Sequence, residues 1–343
     1  MRQGQRRVRK GLVVVLAAAI VATTATAGCS KTDDDRLYIR SGRTKNLIGP
    51  LLEDFAKDTG IKIDVRYGDS ADLALLTNEE GDKTKTDVFI SQSPGAVGFL
   101  DSKGLLGELP DKVTGLVPDG DAAEDGTWVG LSGRVRTLVY NTELVDPADL
   151  PKSVLDLADP QYAGKVAVAP TNGSFMDFVT VLRQHVGEEE AASFLKALAD
   201  GGAPTYENNT AIVEAVGRGE VPLGLVNHYY AFVAKDQDPD LPVENHFFPE
   251  GDYGSTLLVT AASIIKDTNK SEEAERFVDY LLSEHAQQYF AEQTFEYPLA
   301  AGAEPNPVLP KLDTLTVTRV DLGELGSGLE KTADLIEKSG LHT

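Results

Sequence analysis

The sequence predicts an α/β protein built as two lobes, and three observations carry that expectation. Its 343 residues exceed what one hydrophobic core of ~100–200 residues usually takes in. Short apolar runs alternate with helical periodicities from end to end, the pattern of βαβ units. No repeat, low-complexity tract or long polar linker separates the halves, so strand crossovers rather than a flexible peptide must join them.

The elements follow in order. Leu37 to Arg40, Ile61 to Arg66 and Asp87 to Ser91 read as strands. Between the first two, Leu47, Ile48, Leu51, Leu52 and Phe55 recur at helical spacing, and Gly60 is placed to close that helix. A second series follows the turn Asp125-Gly126-Thr127-Trp128, with strands at Thr137 to Asn141, Lys165 to Ala169 and Pro222 to Asn227. Ser271-Glu272-Glu273 is read as the capped start of a helix whose apolar face is Ala274, Phe277, Val278, Leu281 and Leu282. Leu322 to Lys338 is expected to be a last amphipathic helix.

Composition narrows the function. Hydrophobic residues make up 41% and charged residues 25%, as in a globular protein. With 54 acidic against 32 basic side chains the formal charge is −22, which repels polyphosphate and argues against a nucleic-acid partner. One cysteine rules out an internal disulfide, a CxxC pair and a cysteine-rich zinc site.

The position of that cysteine has its own meaning. Arg2, Arg6, Arg7, Arg9 and Lys10 precede an apolar run, Gly11 to Ala22, that is too short for a span of ~20 residues. The segment reads as an export signal covering residues 1–28. Its end, Thr26-Ala27-Gly28-Cys29, resembles the bacterial lipobox, which implies acylation of Cys29 and a polar tether over residues 29–36. The mature protein is then expected on the outer face of the cell membrane, held by lipid.

Catalytic signatures are missing: there is no HExxH, GxSxG, GxxxxGK[ST] or EF-hand loop. His185, His246, His285 and His342 have no partner at ligand spacing, so no enzyme is expected, although carboxylates distant in sequence could still assemble a secreted hydrolase. The pattern that stands out is Asn227-His228-Tyr229-Tyr230, where a strand gives way to a helix. At a helix start neighbours lie ~100° apart, so both rings can face one cleft. Phenolates are hard oxygen donors suited to ferric iron, and metal binding can remove their protons. The alternative is two packing tyrosines at a strand end.

The chain resembles the ferric-iron substrate-binding proteins of ABC importers. The similar stretches are Ser41-Gly42-Arg43, FAKDTGIKIDVRYGDSADLA from Phe55, GDKTKTDVFISQ from Gly81, WVGLSGRVRTLVYN from Trp128, APTNGSF from Ala169, NHYY from Asn227 and FVDYLLSEHAQQYFAEQTFEYPLA from Phe277. The resemblance implies a two-lobed, type II periplasmic-binding-protein fold. Each lobe would be a mixed sheet flanked by helices, with the ligand in the cleft between them. It places the N-terminal lobe at 37–135 and 262–310 and the C-terminal lobe at 136–261 and 311–343.

It further implies Tyr140, Tyr229 and Tyr230 as iron ligands. The histidine and glutamate that serve as ligands in the family correspond to Thr44 and Gln92, and a tyrosine found in some members corresponds to Lys45. Three anionic ligands leave an iron that prefers six short, so a synergistic anion (carbonate, phosphate or citrate) is expected. Asn172, Gly173 and Ser174 match the anion loop before a helix, and Asn209 and Asn227 match further anion contacts. By the same resemblance Thr44 and Gln92 are expected among the anion-binding residues, and Arg43 and Arg134 could add bidentate donors or could be solvated strand-end charges. The implied partners are a membrane permease and its cytoplasmic ATPase, with the binding protein acting as a monomer. The alternative within the same fold is a binding protein for a metal-free anionic solute.

Overall fold

The computed structural model describes residues 35–249, 251–320 and 325–342. The export signal, Cys29 and nearly all of the tether lie outside the described residues.

The first half opens with strand β1 (Arg36–Ser41), helix α1 (Lys45–Thr59), strand β2 (Lys62–Tyr67), helix α2 (Ser70–Glu80), strand β3 (Val88–Ser91) and helix α3 (Pro94–Ser102). Strand β4 (Leu106–Gly107) and helix α4 (Asp111–Thr114) lead to the long strand β5 (Val129–Asn141). There follow β6 (Val166–Ala167), α5 (Gly173–His185), α6 (Glu188–Asp200), α7 (Asn209–Gly217), β7 (Leu223–Asn227), α8 (Tyr229–Gln237) and β8 (Val243–His246). The chain returns through β9 (Leu257–Ile265), α9 (Ser271–Leu281), α10 (Glu284–Gln293), β10 (Tyr297–Pro298) and α11 (Leu329–Ser339).

Periodicity and caps account for the elements. In α1 the buried residues Ile48, Leu51, Leu52 and Phe55 recur at three- and four-residue spacing, and Gly60 ends the helix in the left-handed region at φ 73°. Phe55 meets Phe277 of α9 edge to face at 4.8 Å between ring centroids, so the two helical faces read from the sequence pack on each other. In α9 the first turn carries Glu272 and Glu273 as expected, but the cap position is Lys270, and Ser271 is the first helical residue. The Ser271 hydroxyl donates to the Thr268 carbonyl instead.

The strands run in the order β2-β1-β3-β9-β5-β7-β6. The β1 strand pairs in parallel with β2 and β3, while β9 runs antiparallel to both β3 and β5. The decisive element is β5. Its first part, up to Val135, pairs with β9, whereas Arg136 to Tyr140 pair with β7 and Leu138 to Asn141 with β8. One continuous strand therefore belongs to two sheet segments, which is the crossover connection expected in place of a hinge peptide.

Other elements differ from the sequence reading as well: the strand expected from Thr137 already starts at Val129. The strand expected over Lys165 to Ala169 contracts to Val166–Ala167, because Val168 leaves β7 and bridges Thr205. The last helix starts at Leu329, preceded by a single 3-10 turn over Gly326–Gly328, and residues 321–324 lie outside the described residues. That turn is seated closely: a Cβ on Gly326 would come within 2.0 Å of the Gly98 backbone of α3.

Candidate metal and anion site

The tyrosine pair sits where β7 hands over to α8. Asn227 is the last residue of β7, His228 caps α8, and Tyr229 opens the helix. Val135, the last β5 residue paired with β9, fixes this corner from both sides. The His228 amide donates to the Val135 carbonyl (2.9 Å), and the Val135 amide donates to His228 Nδ1 (3.1 Å), which puts the ring proton on Nε2. Burial lowers the His228 pKa to about 4, so the ring is neutral near pH 7.

From this corner both phenols reach one point. The Tyr229 and Tyr230 rings stack at 4.1 Å, and both hydroxyl oxygens lie 2.8 Å from the same atom, Gln92 Nε2, which donates to each. Gln92 comes from the loop after β3 in the other sheet segment, and its backbone amide donates to Ser70 Oγ. Two hard oxygens thus converge on one positively polarised group.

Burial raises the Tyr229 phenol well above its usual range, reinforced by Tyr230 and Glu296 and opposed by the charges of Arg43 and Arg134. A trivalent cation at this point would stabilise the phenolates and reverse that shift.

The expected anion residues also assemble. Asn172 caps α5, and its Oδ1 accepts from the Ser174 amide (3.2 Å), Ser174 Oγ (2.7 Å) and Asn209 Nδ2 (3.2 Å). Arg136 Nη1 donates to Ser174 Oγ (3.3 Å) and to Asn227 Oδ1 (3.2 Å). Asn172, Gly173, Ser174, Asn209 and Asn227 therefore form one cluster beside the tyrosine corner. Donors are in surplus there: Nε and Nη2 of both Arg134 and Arg136, together with Asn227 Nδ2, are buried without a partner among the described residues. The unpaired buried acceptors near them are Asn209 Oδ1 and Asp177 Oδ2. Buried donors in excess fit an oxyanion.

Arg136 joins this cluster and Asp177 lies close to it, two residues that no sequence expectation names. Arg134 and Arg136 are alternate residues of one strand and so share a face, a period-two signal present in the quoted stretch. Burial, then repulsion from Arg134, lowers the Arg136 pKa to about 9. Asp177 lies one helical turn beyond the anion loop, and nothing in the sequence marks it. Its Oδ1 accepts from Ser93 Oγ (2.7 Å) and the Gly95 amide (3.2 Å), and burial raises its pKa to about 6.

Three expected site residues fall elsewhere. Tyr140 is not brought to the tyrosine pair: its hydroxyl donates to Glu244 Oε2 at 3.0 Å, because the register of β5 sets it opposite β8 and four residues past the corner. Arg43 is not free to hold an anion, since its guanidinium grips the Glu296 carboxylate through two nitrogens. Thr44 is exposed at the cap of α1, where its side chain makes no cap bond.

Comparison with known proteins follows the same lines. Residues 83–321 match the bacterial extracellular solute-binding protein family. The major ferric iron-binding protein of Neisseria meningitidis is 30% identical over 335 residues, covering 94% of this chain and 98% of that protein. The Fe(3+)-binding periplasmic protein of Serratia marcescens is 28% identical over 96% of this chain and 97% of its own length. Among solved structures, iron-bound HitA from Pseudomonas aeruginosa superposes with a TM-score of 0.85 at 31% identity, covering 89% of this chain and 99% of that one.

Proposed function

Because the chain belongs to the bacterial extracellular solute-binding protein family, we propose that it captures ferric iron outside the cytoplasm, together with an oxyanion, for delivery to an ABC importer. The observation that carries this reading is the convergence of the Tyr229 and Tyr230 oxygens on one point, each 2.8 Å from Gln92 Nε2. Iron is the cargo here. Tyr229 and Tyr230 supply two anionic oxygens, and the donor-rich cluster of Arg134, Arg136, Asn172, Ser174 and Asn227 holds the accompanying anion. The relatives described above are ferric iron-binding proteins by name, and the chain aligns with them over nearly its full length.

The lobes are taken as residues 37–135 with 262–310, and 136–261 with 311–343. The change of partner of β5 between Val135 and Arg136 supports that division. Gln92 then comes from one lobe and the tyrosines from the other, so iron would replace a contact that already spans the cleft. Delivery uses a permease with its ATPase, the protein acts as a monomer, and acylated Cys29 tethers it to the outer face of the membrane. Cys29→Ser should release the protein into the medium with iron binding intact, because the lipid supplies only anchoring.

The test is a visible spectrum of the full chain with and without ferric iron. Tyrosinate-to-iron charge transfer should give a band that depends on the phenolate oxygens. The surplus of buried arginine donors favours a second reading, a metal-free oxyanionic solute. Stabilisation by phosphate alone, with no band on adding iron, would replace the first reading with the second.

A further inference from the structure

The amides that open α5 are already occupied. Ser174 N donates to Asn172 Oδ1, Phe175 N and Met176 N donate to the Asn172 carbonyl, and Gly173 N donates to Asp69 Oδ2 at 3.4 Å. Asp69 arrives from across the cleft. It is the cap of α2, where its other oxygen, Oδ1, accepts from Ala71 N at 3.0 Å. One half-buried carboxylate therefore spans the N-termini of two helices; both dipoles favour its negative charge, while burial opposes it and raises its pKa to about 6.

The two bonds are unequal. Capping α2 is local and short, whereas the 3.4 Å contact with Gly173 is at the long end of hydrogen-bond geometry. The N-terminus of α5 also has independent signs of being built for a negative group. Arg136, 1% exposed, reaches Ser174 with one nitrogen and keeps two more unpaired, and Asn227 Nδ2 is unpaired beside it.

From these contacts we infer that Asp69 is an internal stand-in for the anion: it holds the Gly173 amide in the anion-free protein, and an exogenous oxyanion gains that amide only by displacing it. The inference rests on the reading of α5 as the anion site. Displacement costs one weak bond and leaves the α2 cap in place. Asp69 thereby sets how much anion the protein needs and disfavours highly charged anions through its own charge. Gly173 is fitted to this close approach, since a Cβ there would lie 3.1 Å from Ser93 Cβ and 3.6 Å from Ser70 Cβ.

Two variants separate the roles of the side chain. Asp69→Asn keeps an oxygen for Ala71 but loses the charge, and Asp69→Ser keeps the cap but is too short to reach Gly173. Inorganic phosphate is titrated against full-length wild type and both variants, without iron by thermal shift and with ferric iron by the visible band. Half-maximal response at phosphate concentrations at least tenfold lower in both variants than in wild type supports the inference. Equal or higher phosphate requirement in both variants, or no response to phosphate in any of the three proteins, overturns it. Absence of the visible band from wild type defeats the iron reading separately, and the iron-free titration still decides the role of Asp69. A variant with an unfolding temperature far below wild type is set aside in favour of the other, which then decides alone.

Discussion

Arg43 and Glu296 stand 253 residues apart in sequence and form a bidentate ion pair in which neither side chain is exposed: Nη1 lies 2.8 Å from Oε1 and Nη2 lies 2.6 Å from Oε2. Thr260 of β9 ties the pair to the neighbouring cation, accepting from Arg43 Nη1 and from Arg134 Nη1. Burial works against both charges, but mutual attraction outweighs it, holding the Arg43 proton more tightly than usual and the Glu296 carboxyl below its usual range. The Arg43 guanidinium is thereby committed to Glu296.

Removing one partner should therefore be costly. Glu296→Gln leaves the Arg43 charge buried and uncompensated, with an expected loss of about 3–5 kcal/mol measured by denaturant unfolding. Iron binding by the fraction that remains folded should be retained. A loss below about 1 kcal/mol would mean that water reaches the pair, contrary to its burial.

The tyrosines should separate sharply. Tyr229→Phe and Tyr230→Phe keep the rings and remove the oxygens, so each should weaken the visible band and lower iron affinity at least tenfold, about 1.4 kcal/mol. Tyr140→Phe should leave band and affinity unchanged and cost about 1 kcal/mol of stability through its bond to Glu244. Loss of the band in Tyr140→Phe would return that residue to the ligand set.

Iron binding should weaken with acid. A phenol has to give up its proton to ligate iron as phenolate, so falling pH should oppose binding. At ~100 times its dissociation constant, iron should stabilise the protein by about 2.7 kcal/mol near neutral pH. The rise in unfolding temperature should shrink at pH 5, and an equal rise at both pH values would contradict phenolate ligation.

Asp177 should shape the acid limb of stability. Its pKa is raised by burial to about 6 from an ordinary 3.8, against the pull of Ser93, Arg134, Gly95 and Arg136. The folded protein thus binds more protons, and the stability this contributes is fully present below about 3.8 and lost as pH rises through 6. His228 opposes it: with a pKa lowered to about 4 in the fold, its contribution is present above 6.5 and is lost as pH falls through 4. Asp177→Asn removes the first effect and leaves the second, so the stability of that variant should fall more steeply than wild type between pH 6 and 4. Parallel curves in denaturant unfolding would contradict this.

The local features were legible because their signals are local. The helical face of α1 and its Gly60 cap, the strands around it and the strand-to-helix corner at Asn227 to Tyr230 all follow from spacing and from turn chemistry within a few residues. The start of α5 was legible for the same reason, as Asn172-Gly173-Ser174 is a capping sequence directly before a helix. The similarity of whole stretches to a known family then supplied the architecture and the cargo proposed above.

What the sequence by itself determined is the alternation of elements, the tyrosine corner and the likeness that points to ferric iron. Only the tertiary structure decided which charges are available to a ligand. Arg43 and Arg134 look alike along the chain, yet Glu296 neutralises the first, while the second keeps two buried nitrogens unpaired beside Arg136. The register of β5 carried Tyr140 to Glu244, and helix packing brought Asp69 to Gly173 and Asp177 to Gly95. The physical reason is range: propensity and periodicity act over a few residues, whereas the partner of a buried polar group is set by strand register and helix contacts among residues far apart in sequence.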